Sequence, residues 1–146
     1  MSDEFEIKIT GIDEVSANLD ELPLRLVKNA YAKALVAGAV PIVQALGARM
    51  GFFKEATGEM QAHLVTDIAI DSAGKGGRIQ IGFGRLGHIA RFVEYGHREI
   101  GHKPLSKELG VVQPHPFMRP ALETAADAAV DAFATSIKES IDEGLV

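Results

Sequence analysis

Gln113-Pro114-His115-Pro116-Phe117-Met118-Arg119-Pro120-Ala121-Leu122 places three prolines within seven residues. Each proline fixes φ at about −65° and removes a backbone donor. The residue before each one is pushed towards extended geometry. The stretch therefore reads as a stiff, extended arm carrying Phe117, Met118 and Arg119, ending where Pro120 can open a helix. Downstream, Leu122, Ala126, Val130, Phe133, Ile137 and Ile141 fall on one stripe of a helix running from Pro120 to about Asp142. An arm held this rigidly before an alanine-rich helix is suited to docking.

Upstream of the arm, residues 97–113 carry charges and Pro104 and read as a long loop. His88 to Tyr95 reads as a helix stopped by Gly96. Val65 to Asp71 and Arg78 to Phe83 read as two strands of a hairpin joined through the glycine-rich Ser72–Gly77 segment. Gly58 to His63 forms about one helical turn, after a loop over Phe52–Thr57. Before it, Pro23 fits the first turn of a long helix. The apolar line of that helix is Leu24, Val27, Tyr31, Leu35, Gly38, Ile42, Ala45 and Arg49. Ala30, Ala34, Ala37 and Ala45 are small enough for close helix approach. Pro41 cannot donate to the Ala37 carbonyl, so a kink or break is expected near residues 38–41. Near the N-terminus, Phe5, Ile7 and Ile9 alternate with polar residues as a half-buried strand, and Asp13 can cap a short helix through Leu19. The fold class expected is α+β. A small antiparallel β-sheet is packed by a long kinked N-terminal helix and a long C-terminal helix, in one domain over residues 1–146.

Hydrophobic residues make up 47% of the chain, ample for a core, and the absence of cysteine excludes disulfides and thiolate metal sites. The acidic start, Met-Ser-Asp-Glu-Phe-Glu, is unlike a signal peptide. The longest apolar run, Ala34 to Val43, is too short to span a bilayer, so no membrane partner is expected. The net charge of −5 is unevenly placed: residues 1–21 carry −6, residues 22–120 carry +6 and residues 121–146 carry −5. Acidic ends and a basic middle suit complementarity between subunits, or a basic surface facing DNA.

Pro-Phe-Met-Arg-Pro-Ala-Leu (116–122) lies some twenty residues after Arg91-Phe92-Val93-Glu94-Tyr95-Gly96, and Ala56-Thr57-Gly58-Glu59-Met60 follows the long helix. This ordered set resembles the head–tail joining (neck or tail-completion) family of long-tailed bacteriophages, over roughly residues 20 to 140. Each motif alone is weak; in this order they are fairly specific. Two positions depart from the family pattern. Phe52-Phe53-Lys54-Glu55 stands where a proline usually precedes Thr-Gly, and His97 stands where threonine is common. The resemblance implies a non-enzymatic virion protein, assembled in the host cytoplasm and located at the head–tail junction. It implies a homo-oligomeric ring, six-fold, between head-completion proteins and tail-tube or tail-terminator proteins, with phage DNA passing through the lumen without sequence-specific binding. The alternatives are a tail-terminator ring or a small cytoplasmic DNA-binding protein. Assembly contacts are expected at Phe92, Glu94, Tyr95, Gly96, Pro116, Phe117, Met118, Arg119 and Pro120, with a motif turn at Thr57 and Gly58.

Chemistry is sparse in the sequence. His88, His97, His102 and His115 invite a metal reading, but no His-Glu-x-x-His or His-x-x-x-His pair is present, so no metal or other cofactor is expected. Gly82-Phe83-Gly84-Arg85-Leu86-Gly87 fits the Gly-x-Gly-x-x-Gly spacing but lacks the βαβ context and the later acidic ribose partner. No catalytic residues are assigned. Glu94 and Arg119 each sit among apolar neighbours and are expected to pair bidentately as a latch on the arm.

Overall fold

The computed structural model describes residues 24–50, 57–72, 76–101 and 108–144. The expected strand over residues 5–10, the short helix over 13–19 and most of the loop over 52–57 lie outside these residues. In order, the elements are α1 (Leu24–Met50), α2 (Thr57–Ala62), β1 (Val65–Ile70), β2 (Gly77–Gly82), a 3₁₀ turn (Gly84–Leu86), α3 (Gly87–Tyr95), β3 (His97–Ile100), β4 (Glu108–Val112) and α4 (Met118–Gly144). The class is α+β, with the two long helices expected.

The small antiparallel β-structure expected is present, as two separate hairpins, β1–β2 and β3–β4. Two expectations are corrected. The second hairpin occupies residues read as loop. His97 pairs with Val112 and Arg98 with Val111, and the register shifts at Glu99/Ile100. The charged residues there resemble loop composition because the hairpin's side chains are mostly exposed, so no buried face imposes an alternating pattern. Of the kink or break expected at Pro41, the break does not occur: α1 runs continuously across it. The bond lost at the Ala37 carbonyl is outweighed by burial on both sides of the proline, at Ala39 and Ile42.

The core lies along the α1–α4 pair. One cluster joins Val27, Tyr31, Ala34 and Leu35 of α1 to Phe133 and Ile137 of α4, with Ile68, Ile70 and Ile79 of the first hairpin packed against it. The other joins Ile42, Leu46 and Met50 to Ala121, Ala125 and Ala129, and takes in Met60, Phe83, Ala90 and Phe117. These pairings make the helices antiparallel. Arg49, in the last turn of α1, donates to Thr124 Oγ1 at 3.0 Å, tying the end of α1 to the start of α4.

The contact stripe of α4 is rotated from the expected one. Ala121, Ala125, Ala129, Phe133, Ser136 and Ile137 are buried, while Val130 is 42% exposed. The reason is distance: the helices come together through their small residues. A Cβ added to Gly38 would sit 3.1 Å from the Ala129 carbonyl oxygen and 3.4 Å from Phe133 Cβ. Larger side chains such as Leu122 therefore lie on the rim of the contact.

By length and composition α1 could cross a membrane. A run shorter than a bilayer underestimates it, because the whole helix counts. In this fold its inner side chains fill the protein core, Tyr31 and Ala34 almost completely covered.

Two measurements test this packing. Gly38→Leu must force the helices apart, at a cost of about 1–3 kcal/mol by overpacking, read as a fall in melting temperature. Gly47→Ala in the same helix should instead stabilise by about 0.5–1 kcal/mol, since among the described residues its Cβ would meet only Gln61 Nε2 at 3.7 Å. Tyr31 is 2% exposed, and its hydroxyl has no hydrogen-bond partner among the described residues. Burial, then the charge of Asp71, pushes its pKa up, so the phenol is held neutral. Tyr31→Phe removes an unsatisfied polar atom without opening a cavity, and should match or exceed wild-type stability by up to about 1 kcal/mol in denaturant titration.

Candidate functional site

The two most distinctive sequence motifs meet at one point. Glu94 lies in the last turn of α3 and is 2% exposed. Its Oε2 accepts from the amides of Phe117 at 2.7 Å and Met118 at 2.9 Å, and its Oε1 accepts from the amide of Arg119 at 3.1 Å. These amides open α4, whose first amides have no partner within the helix. Glu94 is thus an N-cap supplied from another element. A carboxylate here also meets the positive end of the helix dipole. Three charge-assisted bonds offset the cost of burying it.

The opposite end of the contact is completed by the arm. The His115 amide donates to the Val93 carbonyl at 2.8 Å, satisfying one of the acceptors left open at the end of α3. Each segment therefore caps the other's helix. Gly96 makes this possible. Its φ of 72° and ψ of 170° lie in a region used almost solely by glycine. A Cβ there would fall 2.5 Å from the Val112 oxygen and 2.9 Å from the Pro114 nitrogen.

Residues 113–117 lie outside helix and strand, and Pro116 is exposed. The helix begins at Met118 instead of Pro120, which leaves Pro120 within the first turn, where its missing N–H costs nothing. Phe117 is not an outward anchor. It is 2% exposed and packs in its own chain's core, its ring 5.7 Å from that of Phe83. Met118 is half-buried against the same cluster. A hydrophobic residue fixed just before a helix serves folding as readily as docking, and here it fastens the arm.

The Glu94–Arg119 pair forms, but not as a bidentate latch: a single Nε–Oε1 approach of 3.9 Å links a buried carboxylate to a half-exposed guanidinium. The backbone amides already occupy the carboxylate oxygens. The guanidinium lies over the Tyr95 ring, 4.9 Å from its centroid. The Tyr95 hydroxyl, then the nearby carboxylates of Glu94 and Glu123, hold Arg119 above its ordinary pKa. Phe92 and Tyr95 are 47% and 43% exposed, and Phe92 stacks on His97 with centroids 5.0 Å apart. Thr57 and Gly58 open α2.

Beside the cap runs an open groove of about 1080 Å³ between α3 and the first hairpin, edged by Asp67, Gln80, His88, Arg91 and His97. Among the described residues no group of three His, Cys, Asp or Glu side chains comes together. The Gly82–Gly87 spacing spans the end of an antiparallel strand, the 3₁₀ turn and the start of α3, so it lies in no parallel crossover. The reciprocal capping was legible only in part. The apolar setting of Glu94 marked it as buried, but nothing in the sequence distinguishes a guanidinium partner from backbone amides.

No family model, curated protein or solved structure matches this chain.

Glu94→Ala leaves the Phe117 amide buried without an acceptor and should cost about 2–4 kcal/mol in chemical denaturation. Arg119→Gln should cost a small fraction of that. In a double-mutant cycle the two should be close to additive, because the main partners of Glu94 are backbone amides that Arg119→Gln leaves in place. Strong coupling would restore the guanidinium latch.

Proposed function

We propose that this chain is a non-enzymatic structural protein of a phage neck, forming a ring, six-fold, that joins the DNA-filled head to the tail. The observation that carries the reading is the Glu94 cap. Phe-Val-Glu-Tyr-Gly and Pro-Phe-Met-Arg-Pro-Ala, the two strongest elements of the family resemblance, form one structural device, with Glu94 of the first holding the amides of Phe117, Met118 and Arg119 in the second. That contact between the two motifs is what supports the reading.

The role expected of such a protein is mechanical. Repeated contacts between identical subunits supply the binding energy, and avidity makes the closed ring effectively permanent. DNA passes through the lumen without sequence-specific contacts. Head-completion proteins and tail-tube or tail-terminator proteins lie on the two sides. The acidic ends and basic middle of the chain favour contacts between unlike surfaces of successive subunits.

In a phage encoding this chain, deleting its gene should leave filled heads and finished tails unjoined in electron micrographs. Normal infectious particles would sink the reading. Tails of uncontrolled length would point to a tail terminator instead, and salt-dependent binding of duplex DNA by the monomer would point to a DNA-binding protein.

A further inference from the structure

The glycines of the Gly82–Gly87 motif share one place in the fold: Gly82, Gly84 and Gly87 all line the groove between α3 and the first hairpin. A Cβ added at Gly82 or Gly87 would meet no described atom within 4 Å, so both border open space. The lining there is bare backbone, which lets another element come close. The rim is basic. Ile79 and Ile81 pack towards the core, so Arg78 and Gln80 lie on the outward face of β2. Arg85, His88 and Arg91 follow, all exposed. From Ser72 to Val93 the chain has four cations and no acid. Glu94 is occupied by the α4 amides, which leaves Asp67 as the one exposed acid of the lining.

The complementary surface is on α4. Glu123, Asp127 and Asp131 are exposed and four residues apart, on one face with Val130 and Ala134. No cation stands between Arg119 and Lys138. Like charges at this spacing repel along a helix, a cost that a basic partner removes. Asp127 and Asp131 form no ion pair with a described residue, and neither do Arg78 and Arg85. The exposed ion pairs among the described residues lie elsewhere, at Lys33–Glu143 and Arg98–Glu108. Val130 is 42% exposed, and the exposed Ala134 beside it is small enough for a close approach to bare backbone. In its own chain α4 lines the groove only with Met118, so a stripe that enters it comes from another molecule.

We infer that the groove between α3 and the first hairpin receives the outer face of α4 from a second copy of this chain, with Asp127 and Asp131 set against the basic rim at Arg78 and Arg85. The contact deepens the ring proposed above and rests on it. The two surfaces are different, so the contact is head-to-tail, the type that generates rings when its rotation closes. Opposite charge fixes which face meets which, and the glycines set how near they come.

Two purified variants test this by light scattering. Asp127→Lys with Asp131→Lys makes both faces basic, and Arg78→Glu with Arg85→Glu makes both acidic. Each alone should need about tenfold or more protein to self-associate, with the melting temperature of the subunit unchanged. Mixed in equal amounts they should co-assemble near the wild-type concentration, because each supplies the face the other lacks. Arg78→Glu alone leaves the Arg85–His63 contact in place and serves as the acidic partner if the double substitution lowers the melting temperature. Self-association that ignores the Asp127 and Asp131 reversals overturns this contact and leaves the ring standing, the groove being filled from elsewhere. Two folded variants that stay apart when mixed also overturn it. Co-assembly into filaments of unlimited mass supports the contact and overturns the closed ring. A wild-type chain that is monomeric at every concentration overturns the contact. So does salt-dependent binding of duplex DNA that the Arg78 and Arg85 reversals abolish while self-association is unchanged, because the groove rim then serves nucleic acid.

Discussion

A buried carboxylate with three backbone amides around it organises this molecule. Glu94 joins the end of α3 to the start of α4, and α4 in turn supplies half of the main helix contact. A buried acid without partners is among the most destabilising things a fold can contain. Here that penalty is offset because a helix terminus must find acceptors in any case. One side chain satisfies two needs at once, its own and that of the α4 amides. The carboxylate also fixes the point where the arm turns into the helix, and so the orientation in which Phe117 enters the core.

The core around that point is built by close approach more than by bulk. Gly38, Ala129 and neighbouring small residues let α1 and α4 touch nearly backbone to backbone, and the larger aromatics, Tyr31 and Phe133, stand beside the crossing with ring centroids 6.4 Å apart. A Cβ at Gly77 would likewise fall 2.9 Å from Leu35 Cδ1, so the first hairpin also comes close to α1. Such packing leaves few ways to slide.

The sequence was legible where burial imposes a period. The two long helices, the short helix before β1, the first hairpin and α3 with its glycine stop can all be read from residue spacing and end signals. Where burial imposes none, the reading went astray. The β3–β4 hairpin has exposed side chains on most positions and no alternating pattern, so Arg98, Glu99 and Glu108 read as loop. On α4 the apolar ranking favoured Leu122 and Val130, while the line of contact belongs to alanines, because hydropathy does not encode how near two helices come. At the site, the sequence singled out Glu94, Gly96 and Phe117. It did not reveal that Phe117 faces inward or that Glu94 serves backbone amides, since both depend on a contact across more than twenty residues.

The reciprocal caps have a further consequence. The His115 amide meets the Val93 carbonyl, and Glu94 meets the amides from Phe117 onward, so the chain leaves the body and returns to it at the same place. Everything between Tyr95 and Pro114 is a closed excursion whose two feet are clamped side by side. The body therefore carries no record of how long that excursion is or what stands at its tip. The excursion can therefore vary in length and character while the helices beneath it remain as they are.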